Sequence, residues 1–144
     1  EDQVTADQRI PLLLETPAAI RFVSYEPALG PVDFTAIVNR SIEPEPGTYN
    51  ALSDEWWPAL GDADAEYDGR IRGMLGARLD WIIVGGESGP KARPFDVQWA
   101  RDTIYQCRDA GVPVFVKQDS GPRSGLQGRF SDEEWAIKEF PNAS

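Results

Sequence analysis

Residues 81–90, Trp-Ile-Ile-Val-Gly-Gly-Glu-Ser-Gly-Pro, constrain the fold more than any other stretch of the 144-residue chain. The Ile-Ile-Val run has no polar alternation, so it describes a strand buried on both faces, the kind found in parallel sheets. The glycines and carboxylate that follow it fall at the turn where α/β proteins assemble their sites. Two more segments repeat the pattern. Residues 20–25 (Ile-Arg-Phe-Val-Ser-Tyr) lead into Glu26-Pro27, and residues 112–116 (Val-Pro-Val-Phe-Val) lead into Lys117-Gln118-Asp119. Three parallel strands would bring Glu26, Glu87 and Lys117 out at one edge as a mixed-charge cluster, because each lies where its strand ends.

The intervening segments carry helix signals. Thr5 to Gln8 reads as a capping box opening a helix whose apolar stripe is Ile10, Leu13 and Leu14; Pro11 lacks an amide and should kink or restart it, and Thr16-Pro17 ends it. Asp96 is placed to cap a second helix with Val97, Ala100, Ile104 and Cys107 inward, and Gly111 and Pro113 stop it. Ser131 to Glu134 caps a last short helix expected to reach Phe140. Residues 34–78 read as an acidic insertion, since Arg40 is the only basic residue between Asp33 and Gly69. Within it Ser53 is expected to cap a short helix through Trp56 and Trp57, and Tyr67, Ile71 and Leu75 suggest another. The order helix, strand, insertion, strand, helix, strand predicts a single α/β domain, a parallel sheet with right-handed crossover helices.

Residue types narrow the chemistry. With no His and a single Cys, Cys107, the chain lacks the side chains for a Ser-His or Cys-His pair, a Cys/His zinc site, a cysteine-ligated cluster or an internal disulfide. Carboxylates, Lys, Tyr, hydroxyls and amides remain. A formal charge of -10 opposes generic nucleic-acid binding. No apolar run approaches the roughly 20 residues of a membrane helix, so a soluble, cytoplasmic protein is expected. The only Met is Met74, so Glu1 is expected to follow a removed or further segment.

Gly85-Gly86-Glu87-Ser88-Gly89 admits two readings, an amide nest for an anion or a plain tight turn after a buried strand. It matches neither a P-loop nor a dinucleotide fingerprint. Lys117 follows an apolar strand, so its ammonium needs a carboxylate, with Glu26 or Glu87 available. A structural ion pair and a ligand site remain open there, as does a metal-free acid/base pair of Glu87 and Lys117. Cys107 and the Trp residues read as core packing.

Taken together, Arg21 to Asp33, Leu79 to Pro94, Val114 to Gln118, and Gly128-Arg129-Phe130 with Trp135 and Glu139-Phe140-Pro141 resemble the bacteriophage gene-product 37/68 family, a group similar to radical S-adenosylmethionine barrels. The resemblance implies the C-terminal half of a (β/α) barrel whose N-terminal half would carry a three-cysteine cluster for iron-sulfur. It implies that Glu26, Gly85, Gly86, Glu87, Ser88, Gly89, Arg93, Lys117 and Gln118 line a ligand site at the open end. The expectation is therefore of a phage-type, ligand-binding half, catalytically incomplete alone. It would hold no metal or cofactor by itself, and S-adenosylmethionine and a cluster only together with an N-terminal half. Its partners would be that half or a second copy. The rival expectation is a truncated phage product that binds a host protein through its acidic surface.

Overall fold

The computed structural model describes residues 1–39, 47–58, 71–72 and 77–142. Its centre is a three-stranded parallel sheet of β1 (Phe22–Tyr25), β6 (Trp81–Gly85) and β7 (Val114–Gln118), in the order β1-β6-β7. The registers pair Phe22 with Trp81, Ser24 with Ile83, and Ile83 with Phe115. The three strand readings are thus borne out, although Ile20, Arg21, Val112 and Pro113 lie outside the ladders. Asp80 takes up the slack beside β1: its backbone N–H donates to the Arg21 carbonyl and its carboxylate accepts from the Arg21 N–H.

Helix α2 (Val97–Ala110) is the crossover between β6 and β7, and it starts and stops where its sequence signals lie. The Asp96 carboxylate accepts from the Gln98 amide, and Gly111 closes the helix in the left-handed region at φ 66°. Its buried face, Ala100, Thr103, Ile104 and Cys107, packs on β6 and β7. Helix α1 (Gln3–Glu15) begins two residues before the expected capping box. Asp2 is the N-cap, and its carboxylate accepts from both the Thr5 amide and the Thr5 hydroxyl, so Thr5 lies inside the helix rather than at its start. The helix also continues through Pro11, which is buried.

The insertion departs most from the sequence reading. Strands β2 (Ile37–Asn39), β3 (Gly47–Asn50), β4 (Glu55–Pro58) and β5 (Ile71–Arg72) form an antiparallel sheet in that order, β4 and β5 standing where helices were expected. Ser53 does not cap a helix: it sits in a turn where Asp54 adopts φ 58°, and Trp56 follows on a strand. Tyr49 decides the matter by pairing with Trp56 across the ladder while its hydroxyl donates to Asp54 and to the Ala77 carbonyl, contacts that spacing along one segment cannot reveal. Ile71 is on a strand, and Tyr67 and Leu75 lie outside the described residues. This sheet stands in the connection from β1 to β6, so that crossover is not the simple helical one.

Helix α3 (Asp132–Trp135) has the expected Ser131/Glu134 capping box but ends before Phe140. The chain then turns to run along β7. Val116 N–H donates to Ile137 O at 3.0 Å and Glu139 N–H donates to Val114 O at 3.1 Å, so the tail covers an edge that would otherwise be bare. Both sheets contribute to one apolar cluster, in which Phe34, Ile37, Tyr49 and Leu79 join Ile82, Val84, Val114 and Val116.

Candidate functional site at the carboxyl edge of the parallel sheet

Strand alternation assigns the faces. Val23, Tyr25, Ile82, Val84, Val114 and Val116 turn toward the helices and the core. Phe22, Ser24, Trp81, Ile83 and Phe115 turn the other way, and continuing the same alternation places Glu26 beyond Ser24 and Gly85 beyond Ile83 on that second face. Gly85 therefore forms the floor between the ends of β1 and β7. A Cβ there would lie 3.0 Å from the Gln118 carbonyl oxygen and 3.4 Å from Lys117 Cβ. With no side chain standing at Gly85, Glu26 reaches across β6.

The donors that meet Glu26 are doubled by an irregularity in β7. Val84 pairs with Val116 but Gly85 pairs with Gln118, so Lys117 is the extra residue of a bulge. Regular pleating would send Lys117 and Gln118 to opposite faces. The bulge instead brings both to one carboxylate: Lys117 Nζ lies 2.6 Å from Glu26 Oε2, and Gln118 Nε2 donates to Glu26 Oε1 at 2.8 Å. Gln118 is buried and fully used, its Nε2 also donating to the Gly86 carbonyl at 3.0 Å and its Oε1 accepting from the Gly125 N–H at 2.9 Å.

Glu87 does not join this cluster. Its carboxylate turns back to Arg93, which grips both oxygens through Nε and Nη2 and adds its backbone N–H, each at 2.8 Å. The Arg93 guanidinium and then its amide hold the Glu87 carboxyl down at about 2. The mixed-charge cluster predicted at this edge is therefore two separate pairs, and the Glu87–Lys117 acid/base pair is not formed. Lys117 is half exposed, so the desolvation expected from its apolar neighbours does not occur; the carboxylate is the sheltered partner, with side-chain exposures of 49% for Lys117 and 13% for Glu26.

Two amides of the glycine turn, those of Gly86 and Gly89, are also committed. Gly86 N–H donates to Gln118 O and Gly89 N–H to Gly121 O, while Gly121 N–H donates to Glu87 O. Those bonds zip the 86–89 turn to the loop after β7, and they occupy amides that an anion nest would need. Gly86 is required by this zipper, since a Cβ would sit 2.4 Å from Ser120 N. Ser88 bridges to Gly121 and is itself exposed.

A further pair, Arg129 with Asp119, was not among the expected site residues. Arg129 Nε and Nη2 donate to Asp119, its Nη2 also donates to the Phe95 carbonyl, and its own amide donates to Asp119 Oδ2 at 2.8 Å. Burial pushes the Asp119 carboxyl up, but the Arg129 and Ser120 donors outweigh it and hold it below its ordinary value. The only local signal was a carboxylate directly after a buried strand, at Asp119. Cys107 is buried beneath α2, where desolvation pushes its thiol up to about 12. No group of His, Cys, Asp and Glu suited to a metal ion occurs among the described residues, and no described helix is long and apolar enough to cross a membrane.

A family model described as "Protein of unknown function (DUF5131)" matches residues 1–137. This is the family of the phage gene-product 37/68 proteins. No curated protein and no solved structure matches the chain.

Proposed function

The chain belongs to the DUF5131 family, and from that premise we propose that it forms the ligand-binding wall of a radical-S-adenosylmethionine-like (β/α) barrel, catalytically incomplete by itself. One observation carries the reading. Among the described residues α2 packs on β6 and β7 and the short α3 touches β7, whereas the face with Phe22, Ser24, Ile83 and Phe115, leading up to Glu26 and Lys117, meets the tail through Lys138 and Phe140, which lie against Phe115 and Trp81. Barrels bury the helix-free face of their sheet as an interior and place their sites at its carboxyl end. Complementary strands, on the same polypeptide or another, would add at the β1 edge, since residues 137–139 hold the edge of β7.

The residues at that end suit S-adenosylmethionine. Glu26 offers a carboxylate to an ammonium or sulfonium, and Lys117 offers a cation to a carboxylate, the charge pattern that an amino-acid moiety presents in reverse. Gln118 orients Glu26 from below. An iron-sulfur cluster does not fit this chain's own residues, because its one thiol, Cys107, is buried and held protonated.

Calorimetric titration with S-adenosylmethionine, beside thermal melts, tests the proposal on the wild type and Lys117→Met. Loss of binding with a melting temperature within about 3 °C of wild type supports a ligand site, since a half-exposed ion pair contributes at most about 1 kcal/mol. Equal binding by both forms rejects it, and no heat of binding in the wild type rejects a site that this chain forms without complementary strands.

A further inference from the structure

The carboxyl edge inverts the charge of the molecule. The chain as a whole carries -10, yet each ion pair described at this edge shelters its acid and exposes its base. Side-chain exposures are 49% for Lys117 against 13% for Glu26, 50% for Arg93 against 29% for Glu87, and 57% for Arg129 against 3% for Asp119. Exposed pairs of this kind contribute little to stability. Their arrangement instead turns the bases outward, so that a solute approaching these pairs meets the cation first.

Two more cations crown the edge. Lys91 and Arg123 are exposed and form no ion pair with any described residue. The Ser88–Gly121 bridge joins their loops in parallel, with Lys91 three residues past Ser88 and Arg123 two past Gly121. Glu87, Ser88, Pro90 and Lys91 line an open depression of about 370 Å³, and the Glu87 carboxylate there is already held by Arg93. The nearest exposed acid in sequence is Asp96, whose carboxylate accepts from the Gln98 amide and whose charge acts on Arg129.

We infer that this edge binds a small polyanion, with Lys91 and Arg123 as its outer contacts and Arg93 and Arg129 behind them. The inference rests on the ligand-site reading above and extends it from a cofactor to a second, anionic ligand. Guanidinium forks and an ammonium suit phosphate and carboxylate oxygens alike. A short ligand profits from the local cations, whereas an extended nucleic-acid backbone would also meet the acidic remainder of the chain.

Inorganic pyrophosphate and citrate are the probes, each titrated calorimetrically into the whole chain at low ionic strength. Saturable binding of one molecule per chain is expected for at least one, and the tighter of the two identifies the ligand's anionic group. Lys91→Glu combined with Arg123→Glu should weaken it at least about tenfold, by reversing two charges within a Debye length of the ligand, with an unchanged melting temperature. Absence of saturable binding to either probe, or binding indifferent to the double reversal, overturns the inference. So does a single-stranded oligonucleotide that binds more tightly than both probes. Titration of the same double variant with S-adenosylmethionine reads the cofactor proposal separately, because neither substituted side chain touches Glu26 or Lys117.

Discussion

At the scale of single residues, the site depends on which oxygen each donor takes. Glu26 gives one oxygen to Lys117 and the other to Gln118, and the bulge at Lys117 is what lets neighbouring residues share one carboxylate. Glu87 is instead saturated by Arg93, with a carboxyl at about 2 against the ordinary 4.5. A depressed folded-state value means that the contact stabilises the fold fully above about pH 4.5 and is lost as pH falls toward about 2. Glu87→Gln removes this titration. Between about pH 5 and about pH 2 the wild type should therefore lose more melting temperature than the variant, as followed by circular dichroism. Parallel decline of the two proteins would show that Glu87 gains nothing from Arg93 in solution.

At the scale of elements, the most informative piece is the tail after α3. A strand edge invites pairing with other molecules, and β7 has its edge taken by residues 137–139. The attachment is knitted further: Glu139 Oε2 accepts from Val114 N–H, Trp81 Nε1 donates to Glu139 O, and Lys138 donates to Val116 O while lying 3.6 Å from the Trp135 ring centroid. A chain ending at Ala136 loses two ladder bonds at about 1 kcal/mol each, and the burial of Ile137 adds about 1–2 kcal/mol. Denaturant titration should show a loss of about 3–4 kcal/mol, and light scattering should show new association. A truncated chain as stable and monodisperse as the whole would mean that the tail does not guard the edge.

At the scale of the whole molecule, the aromatic face of the parallel sheet stands out. Phe22 and Phe140 are 48% and 63% exposed, and their rings lie 5.6 Å and 5.4 Å from Trp81 between them, centroid to centroid. Phe115 completes the cluster at 5.5 Å from Phe140. Such a contiguous apolar patch marks a surface that something covers in use, and a barrel interior is the covering that the ligand-site proposal supplies. Phe22→Ser should cost about 1 kcal/mol, a fall of about 3 °C in melting temperature, while markedly reducing fluorescence of a hydrophobic dye. Dye binding equal to wild type would place the accessible patch elsewhere.

The buried parallel strands, the helix between β6 and β7 with both its caps, and the gathering of strand ends at one edge were legible in the sequence. Each depends on short-range physics: an unbroken apolar run, a carboxylate before a helix, a glycine after it. The antiparallel sheet was not legible, because Trp56 read as part of a helix capped by Ser53, and only its cross-strand pairing with Tyr49 decides for a strand. Nor could the sequence choose among carboxylates. Glu26, Glu87 and Asp119 all follow strands, and their partners Lys117, Arg93 and Arg129 lie between 6 and 91 positions away. Local free energy determined that charges would meet at this edge; only the tertiary structure, through the floor at Gly85 and the bulge at Lys117, decided which charges meet and which face outward.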